Sequence, residues 1–158
     1  MSVQVATRLI HASLLDWKST SAILTFGGSV VLSQVTGALW YSPLLFGNQF
    51  LNYAFPNVSK EEFAKISVHA PLCYASALTG ATLGFLGLRG VLQVLQVTQP
   101  LDGALVGMLV CNIDGIFGCM HSFFENRPFE LYLLHRAYQT TCFAMAGALL
   151  ATAVYSDK

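Results

Sequence analysis

Long uncharged stretches dominate the pattern of polar and apolar positions in this chain. No Asp, Glu, Lys or Arg occurs in residues 19–59, 66–88 or 137–156, and Asp114 is the only one in residues 103–124. These stretches lack the solvated face that a soluble helix needs, and about 20 apolar residues suffice to cross a bilayer. The pattern therefore predicts an all-α integral membrane four-helix bundle. The predicted spans are residues 20–41, 67–88, 102–124 and 131–154.

The first connection predicts an additional short helix. Pro43 ends the first span, because proline lacks an amide hydrogen and restricts the residue before it. Further along, Ser59 and Glu62 have the spacing of a capping box, in which side chains bond the free amides at a helix start. We therefore expect a short interfacial helix to begin at Ser59 and to lead into the second span.

The other two connections are short. Residues 89–101 link the second and third spans, and Pro100 suits the first turn of a helix. Residues 125–128 form a tight link between the third and fourth spans. Four spans place both chain ends on one side of the membrane, but Lys and Arg are distributed too evenly to fix the orientation.

The N-terminal segment has an amphipathic pattern. Ile10, Leu14 and Trp17 share a helical face opposite Arg8, which predicts a helix lying on the membrane. Arg8, with Ser and Thr nearby and no acidic residue before Asp16, also resembles an organelle-targeting segment. We therefore expect a eukaryotic organelle inner membrane, that of mitochondria, with a bacterial inner membrane as the alternative. The predicted organisation is an extension at residues 1–19, a four-helix domain at 20–154 and a tail at 155–158.

Small residues recur every three or four positions on three of the spans. Lipid tails provide no hydrophobic drive between helices, so close backbone approach along such rows holds a bundle together. We expect these rows to form tight helix contacts and to leave surfaces for partners. They are Cys73, Ala77, Gly80, Gly84 and Gly87; Gly107, Cys111, Asp114, Gly118 and His121; and Ala137, Thr141, Ala144, Ala148 and Ala151.

Composition supports the membrane interpretation and excludes one class of partner. Hydrophobic residues make up 54% of the chain and charged residues 10%, against about 25% charged in soluble domains. The formal net charge is zero, so the sequence shows no basic footprint for nucleic acid. All four cysteines lie inside predicted spans without CxxC spacing, which indicates packing residues and neither a disulfide framework nor a zinc site.

Polar side chains within the third and fourth spans are candidates for function. Asp114 lies near the middle of the bilayer, where a carboxylate must face protein or water, be paired, or be protonated. His121 and Glu125 follow on the same face and continue a polar line to the surface. This line, with His135 on the fourth span, suits a proton or cation path or a headgroup pocket. The structural alternative is a buried acid that fixes helix register, and we expect Arg136 or His135 to pair with Glu125.

The ends of the first and third spans should be neighbours, because alternate antiparallel helices end on the same side. The segment WYSP would then lie beside FENRP. Aromatic rings facing an acid, an amide and a guanidinium could form a polar clasp on the backbone near Pro43, or the mouth of a pocket. The residues of this clasp or mouth are Trp40, Tyr41, Ser42, Pro43, Asn126, Arg127 and Tyr138.

Motifs of catalysis and cofactor binding are absent from the sequence. It has no Gly-rich phosphate loop, HExxH or recognisable serine triad. His69, His121 and His135 lie on three different spans, so a two-histidine cofactor cage would require them to converge. The sequence assigns no catalytic residue, metal ligand or cofactor. It leaves open whether the chain is an enzyme and favours the interpretation that it is not.

Two blocks resemble a known family. GALWYSPLLFG at residues 37–47, and FENRP with FELYLLHRAYQ at 124–139, are similar to the family catalogued as domain of unknown function 1761; SKEEFAK at 59–65 is similar to its acidic helix start. The resemblance covers about residues 20–154 and implies a small four-helix membrane protein with no established activity. The chain differs in its N-terminal extension, in Asn48 at an often basic position, and in Ala137 at a position that tends to be glycine.

Three functions are compatible with these features. The small-residue faces and the lack of a catalytic constellation favour a non-catalytic accessory subunit of a larger membrane complex, in contact with lipids and other subunits. The alternative is a small transporter or a proton- or ion-conducting bundle that uses Asp114 and His121. The second alternative is a lipid- or cofactor-binding protein with its pocket between the WYSP and FENRP segments.

Overall fold

A computed structural model describes Gln4, Thr7, residues 20–58, Glu62, residues 70–125 and residues 127–156. The helices in this part of the chain are α1 (Thr20–Trp40), α2 (Gly47–Ala54), α3 (Ala70–Val94), α4 (Pro100–Phe124) and α5 (Phe129–Ser156). Four of them, α1, α3, α4 and α5, are long and apolar enough to cross a membrane. With no strand among the described residues, the predicted all-α fold with four spans is confirmed.

The connection after α1 contains a short helix, α2, that the sequence does not predict. The predicted helix start at Ser59 and the amphipathic N-terminal helix lie outside the described residues, apart from Glu62, Gln4 and Thr7. The turn before α2 is tight: the Phe46 amide donates to the Trp40 carbonyl at 3.0 Å and the Gly47 amide to the Ser42 carbonyl at 2.9 Å. A Cβ at Gly47 would lie 2.5 Å from the Tyr41 carbonyl oxygen, so only glycine fits there.

The predicted end of the second span at residue 88 is wrong. Arg89 lies inside α3, which continues to Val94, and this residue is only 1% exposed. The charge suggested a boundary, but the residues after it still present Leu92 to the core. The helix ends instead where Gln96 adopts a left-handed φ of 54°, with the Val97 amide donating to the Leu92 carbonyl at 2.9 Å. This is the usual geometry of a left-handed helix end.

Helix α5 is the central element of the bundle and packs on each of the other spans. Its most extensive contact is with α4, where glycines let the two backbones touch. A Cβ on Gly103 would overlap the Gly147 carbonyl, and a Cβ on Gly107 would overlap the Phe143 carbonyl. Of the predicted rows, Gly107 and Ala151 take part in this close contact, whereas Gly103 and Gly147 lie outside those rows.

The core lies between α1, the second half of α3 and α5. Its buried members are Val30, Phe85, Leu88, Leu92, Cys142, Ala146, Leu150 and Val154. The first half of α3 differs, because every residue from 71 to 80 is exposed. The predicted small-residue row of the second span is thus packed only in part: Gly84 meets Phe143, whereas a Cβ added at Gly80 or Gly87 would meet nothing within 4 Å.

Candidate functional site

The candidate site lies at the end of the bundle where α1 and α4 end and α5 begins, here called the Trp40 end. The turn between α4 and α5 places the last residues of one helix beside the first of the other. Glu130 occupies the first turn of α5 at this end, where the helix dipole favours a negative charge. The polar side chains between the turn and the middle of the bundle form the site.

An ion pair joins α4 to α5 at mid-bundle. Arg136 Nη2 lies 3.0 Å from Asp114 Oδ2, and the side chains are 15% and 80% exposed, respectively. Arg136 Nη1 also approaches the Cys111 carbonyl at 3.4 Å. The pair gives Asp114 the partner that a carboxylate at this depth requires. The expected pairing of Arg136 or His135 with Glu125 is wrong, because Arg136 points inward to Asp114.

Glycine makes room for the Arg136 guanidinium. A Cβ at Gly118 would lie 2.7 Å from Arg136 Nη2, and one at Gly115 would lie 3.2 Å from Nε. The guanidinium carbon is 5.7 Å from the centre of the Tyr132 ring, within range of a cation–π contact. The Tyr132 hydroxyl donates to the Gly115 carbonyl at 2.6 Å, which holds the ring in place beneath the arginine.

A second polar contact ties the end of α1 to α5. The Tyr41 hydroxyl lies 2.6 Å from His135 Nδ1, and the Tyr41 ring packs on Phe50 of α2 at 5.2 Å. Burial, and then the nearby Cys142 thiol, raise the pKa of Tyr41 to about 12, so the phenol stays protonated at neutral pH. Tyr41 donates to Nδ1 in the His135 tautomer that carries its proton on Nε2.

Aromatic packing extends this contact toward the bundle interior. The Tyr138 hydroxyl donates to the Ser33 carbonyl at 3.2 Å, and a Cβ on Gly37 would lie 2.8 Å from that hydroxyl oxygen. The Trp40 ring packs at a tilt against Phe46 with ring centres 4.7 Å apart, and its buried Nε1 has no hydrogen-bond acceptor among the described residues. These rings fasten α1 to α5.

The predicted clasp residues lie in two different places, an aromatic cluster and the turns that follow α1 and α4. Trp40, Tyr41 and Tyr138 form the aromatic cluster just described. The Ser42 hydroxyl donates to the Leu39 carbonyl at 2.7 Å, which is one of the backbone groups freed near Pro43. Arg127 Nε pairs with Glu125 at 2.6 Å. Asn126 lies outside the described residues, so the clasp between the two segments stays a prediction.

Two cavities meet at Arg136 and Gln139. The first, of 250 Å³, lies under the α4–α5 turn and is lined by His121, His135, Ser122, Glu125 and Arg127. The second, of 550 Å³, lies deeper between α3, α4 and α5, and its walls include Leu88, Val91 and Val110. We call them the polar mouth and the apolar cleft. The predicted site residues His121, Glu125, His135 and Arg127 thus line one cavity, and Asp114 lines the other.

Comparison with known proteins identifies the family. A sequence model described as "Protein of unknown function (DUF1761)" matches residues 24–151. The chain belongs to this family. No curated protein matches the chain, and no solved structure matches it. Membership in DUF1761 therefore confirms the resemblance in sequence and leaves the function to be argued from the site.

In this DUF1761 chain, sequence reasoning missed some members of the site. Tyr132 and Gln139 carry no signal beyond their positions on α5. For the Asp114–Arg136 pair, the sequence does give the depth of each residue. At 1.5 Å per residue, Asp114 lies about 15 Å and Arg136 about 10 Å below the α4–α5 turn, on facing antiparallel helices. The described residues contain no group of three side chains that could hold a metal ion.

Proposed function

We propose that the protein is a non-catalytic subunit of a larger membrane assembly and that the first half of α3 is its contact surface. One observation supports this proposal: residues 71–80 are exposed all around the helix. A bundle helix is expected to face lipid on one side only. Here Leu72 and Tyr74 point to opposite sides of the helix, yet they are 70% and 71% exposed. The same segment carries small residues, which suit contact with another helix.

The surroundings of this segment favour a protein neighbour. A cavity of 410 Å³ lies between α1, α3 and α5 and is lined by Ser76, Ala77 and Gly80. A Cβ on Gly80 would meet nothing within 4 Å, so a helix backbone of a partner can approach there. Small side chains beside an open cavity lose van der Waals contacts unless another helix fills the space.

A polar path through the whole bundle receives less support from the geometry. Apart from Arg89 and Asp102, the charged side chains of the described spans lie between the Trp40 end and the Asp114–Arg136 pair. Beyond the pair, the cleft is walled by Leu88, Val91 and Val110, which would impose a dry barrier on an ion. The arrangement therefore supports a site that is closed at its inner end better than it supports conduction.

We place the assembly in a eukaryotic organelle inner membrane, that of mitochondria. The proposal rests on the acid-poor segment around Arg8 and on the four apolar spans. Fractionation of cells that express the tagged full chain tests it. Recovery with inner-membrane markers is expected, and recovery in the secretory membranes alone would overturn it.

Size after mild detergent extraction tests the subunit proposal. The protein should migrate in a complex well above its own 17.1 kDa, and Gly80→Trp should shift it to the size of a free chain by filling the contact surface. Gly28→Trp is the matched control, because Gly28 on α1 also has open space and should leave the complex intact. A wild-type chain that migrates alone would sink the proposal.

A further inference from the structure

We propose that the polar mouth and the apolar cleft together bind one glycerophospholipid, with its phosphate in the mouth and an acyl chain in the cleft. The site uses α4, α5 and the second half of α3, so it does not rest on the contact surface assigned to the first half of α3. The inference follows from three features: the donors of the mouth, the apolar walls of the cleft, and their spacing.

The mouth presents more hydrogen-bond donors than acceptors. Tyr41 occupies Nδ1 of His135 and leaves Nε2 for a ligand, and Arg127 adds a guanidinium of which Nε contacts Glu125. Among the described residues, no hydrogen bond engages the side chains of His121 or Ser122. Such a set suits a ligand rich in acceptor oxygens, and a guanidinium pairs especially well with a phosphate.

The cleft suits a hydrocarbon chain. It is more than twice as large as the mouth, at 550 Å³ against 250 Å³, and Leu83, Leu88, Val91 and Val110 contribute to its wall. Its charged members, Asp114 and Arg136, pair with each other. An apolar ligand segment can therefore lie beyond the pair without burying an unpaired charge.

The spacing matches an amphiphile that is anchored at the membrane surface. Asp114 and His121 are about 10 Å apart along α4. Half of the hydrocarbon core is about 15 Å thick, and Glu125 of the mouth lies about 16 Å from Asp114 along α4. With Asp114 near the middle of the bilayer, the mouth therefore reaches the headgroups and the cleft begins at the depth of the acyl chains. Gln139, which lines both cavities, lies at the boundary between them.

Native mass spectrometry of the purified full chain tests the proposal. The protein is delipidated in detergent and then mixed with dioleoylphosphatidylglycerol, with dioleoylglycerol, or with glycerol 3-phosphate. We expect an adduct with the phospholipid and neither with dioleoylglycerol, which lacks the phosphate, nor with glycerol 3-phosphate, which lacks the chains. Equal binding of dioleoylglycerol would overturn the phosphate assignment, and binding of glycerol 3-phosphate alone would indicate a free-phosphate site and overturn the lipid.

Variants at the two cavities sharpen the test. Arg127→Gln should lower the phospholipid adduct about tenfold, because a hydrogen bond to a charged group is lost, whereas Glu125→Gln should raise it by freeing Arg127. Gly87→Leu should lower it about tenfold by filling the cleft, since a Cβ there meets nothing within 4 Å. Gly28→Leu on α1 has the same open space and should leave the adduct unchanged.

The same variants also give the results that would overturn the lipid proposal. An adduct of equal strength in Gly87→Leu and Gly28→Leu would remove the cleft from the proposal. A fall in both Arg127→Gln and Glu125→Gln would contradict phosphate recognition by Arg127. Displacement of the phospholipid by decylubiquinone at equal concentration would assign the site to a quinone and overturn the lipid. Size-exclusion profiles and circular dichroism establish that each variant is folded before its adduct is scored.

Discussion

The α4–α5 contact and the first half of α3 have similar residue patterns and opposite surroundings. Both present small residues every three or four positions. At Gly107 of α4 a Cβ would overlap the Phe143 carbonyl of α5, whereas at Gly80 of α3 it would meet nothing within 4 Å. A row of small residues therefore permits close packing of helices without specifying the partner.

The chain connection and polar contacts explain why one row is used within the chain. The short turn between α4 and α5 places the helices side by side, and the Asp114–Arg136 pair joins them at mid-bundle. The first half of α3 has no comparable polar contact to α4 or α5 among the described residues. Its second half reaches the core through Phe85, Leu88 and Leu92.

The largest expected effect comes from inserting leucine into each row. Gly107→Leu forces the α4 and α5 backbones apart and should lower the free energy of unfolding by about 3 kcal/mol. Gly80→Leu meets open space and should not lower it, and it should raise it by up to about 0.8 kcal/mol because leucine favours a helix more than glycine does. Detergent-denaturant titration followed by circular dichroism measures both, and equal losses would erase the distinction between the two regions.

The second effect concerns the ion pair that the first half of α3 lacks. Arg136→Met leaves Asp114 unpaired at mid-bundle, which should cost about 2.5 kcal/mol in a bilayer. Adding Asp114→Asn should recover most of the loss, because the uncompensated charge is gone. Arg127→Gln breaks the exposed Glu125 pair and should cost less than about 1 kcal/mol. A double variant as unstable as Arg136→Met alone would show that the cost lies in packing.

A smaller effect is expected at the aromatic contact that fastens α1 to α5 independently of α3. Tyr41→Phe removes the hydrogen bond to His135 and should cost about 1 kcal/mol at neutral pH. The pKa of Tyr41 is about 12 in the fold and about 10 in an unfolded chain. Because the pKa of Tyr41 is raised in the fold, the protonated phenol contributes its full stabilisation below about pH 10. That contribution is lost as the pH rises through the folded-state pKa of about 12.

This direction of pH dependence is tested by measuring the free energy of unfolding at increasing alkaline pH. The wild type should lose stability above about pH 10 more steeply than Tyr41→Phe, which has no phenol to ionise at this position. Tyr53→Phe on α2 serves as the control and should follow the wild type. If the wild type and Tyr41→Phe lose the same free energy of unfolding as the pH rises, ionisation of the Tyr41 phenol does not affect the stability of the fold.

The smallest effect contrasts the two ends of α3 itself. Gln96 adopts a left-handed φ of 54° after the packed end of the helix, where glycine avoids the steric cost of a Cβ. Gln96→Gly should therefore raise the free energy of unfolding by about 1 kcal/mol. Gln93→Gly, inside the helix, should lower it by about 1 kcal/mol. Thermal unfolding in detergent measures both, and a loss in both variants would contradict the proposed helix end.

Particular residues show why some features were predictable and others were not. Four spans followed from the absence of charge over long stretches, and Pro100 marked the start of α4 in both sequence and structure. Arg89 misled because a charge in an apolar run looks like a boundary, whereas this residue is buried inside α3. Asp114 was recognised as needing a partner, but its choice of Arg136 over another cation depends on side-chain direction, which spacing alone does not give.

The sequence by itself determined the class of the molecule, because the transfer of long uncharged segments from water to lipid outweighs every other local preference. It also determined the family and the candidate polar residues. Only the tertiary structure decided which helix faces meet, that Tyr41 contacts His135, and that the first half of α3 stays exposed. Those outcomes depend on which backbones can approach and which side chains reach one another across helices, and no single segment of the chain contains that information.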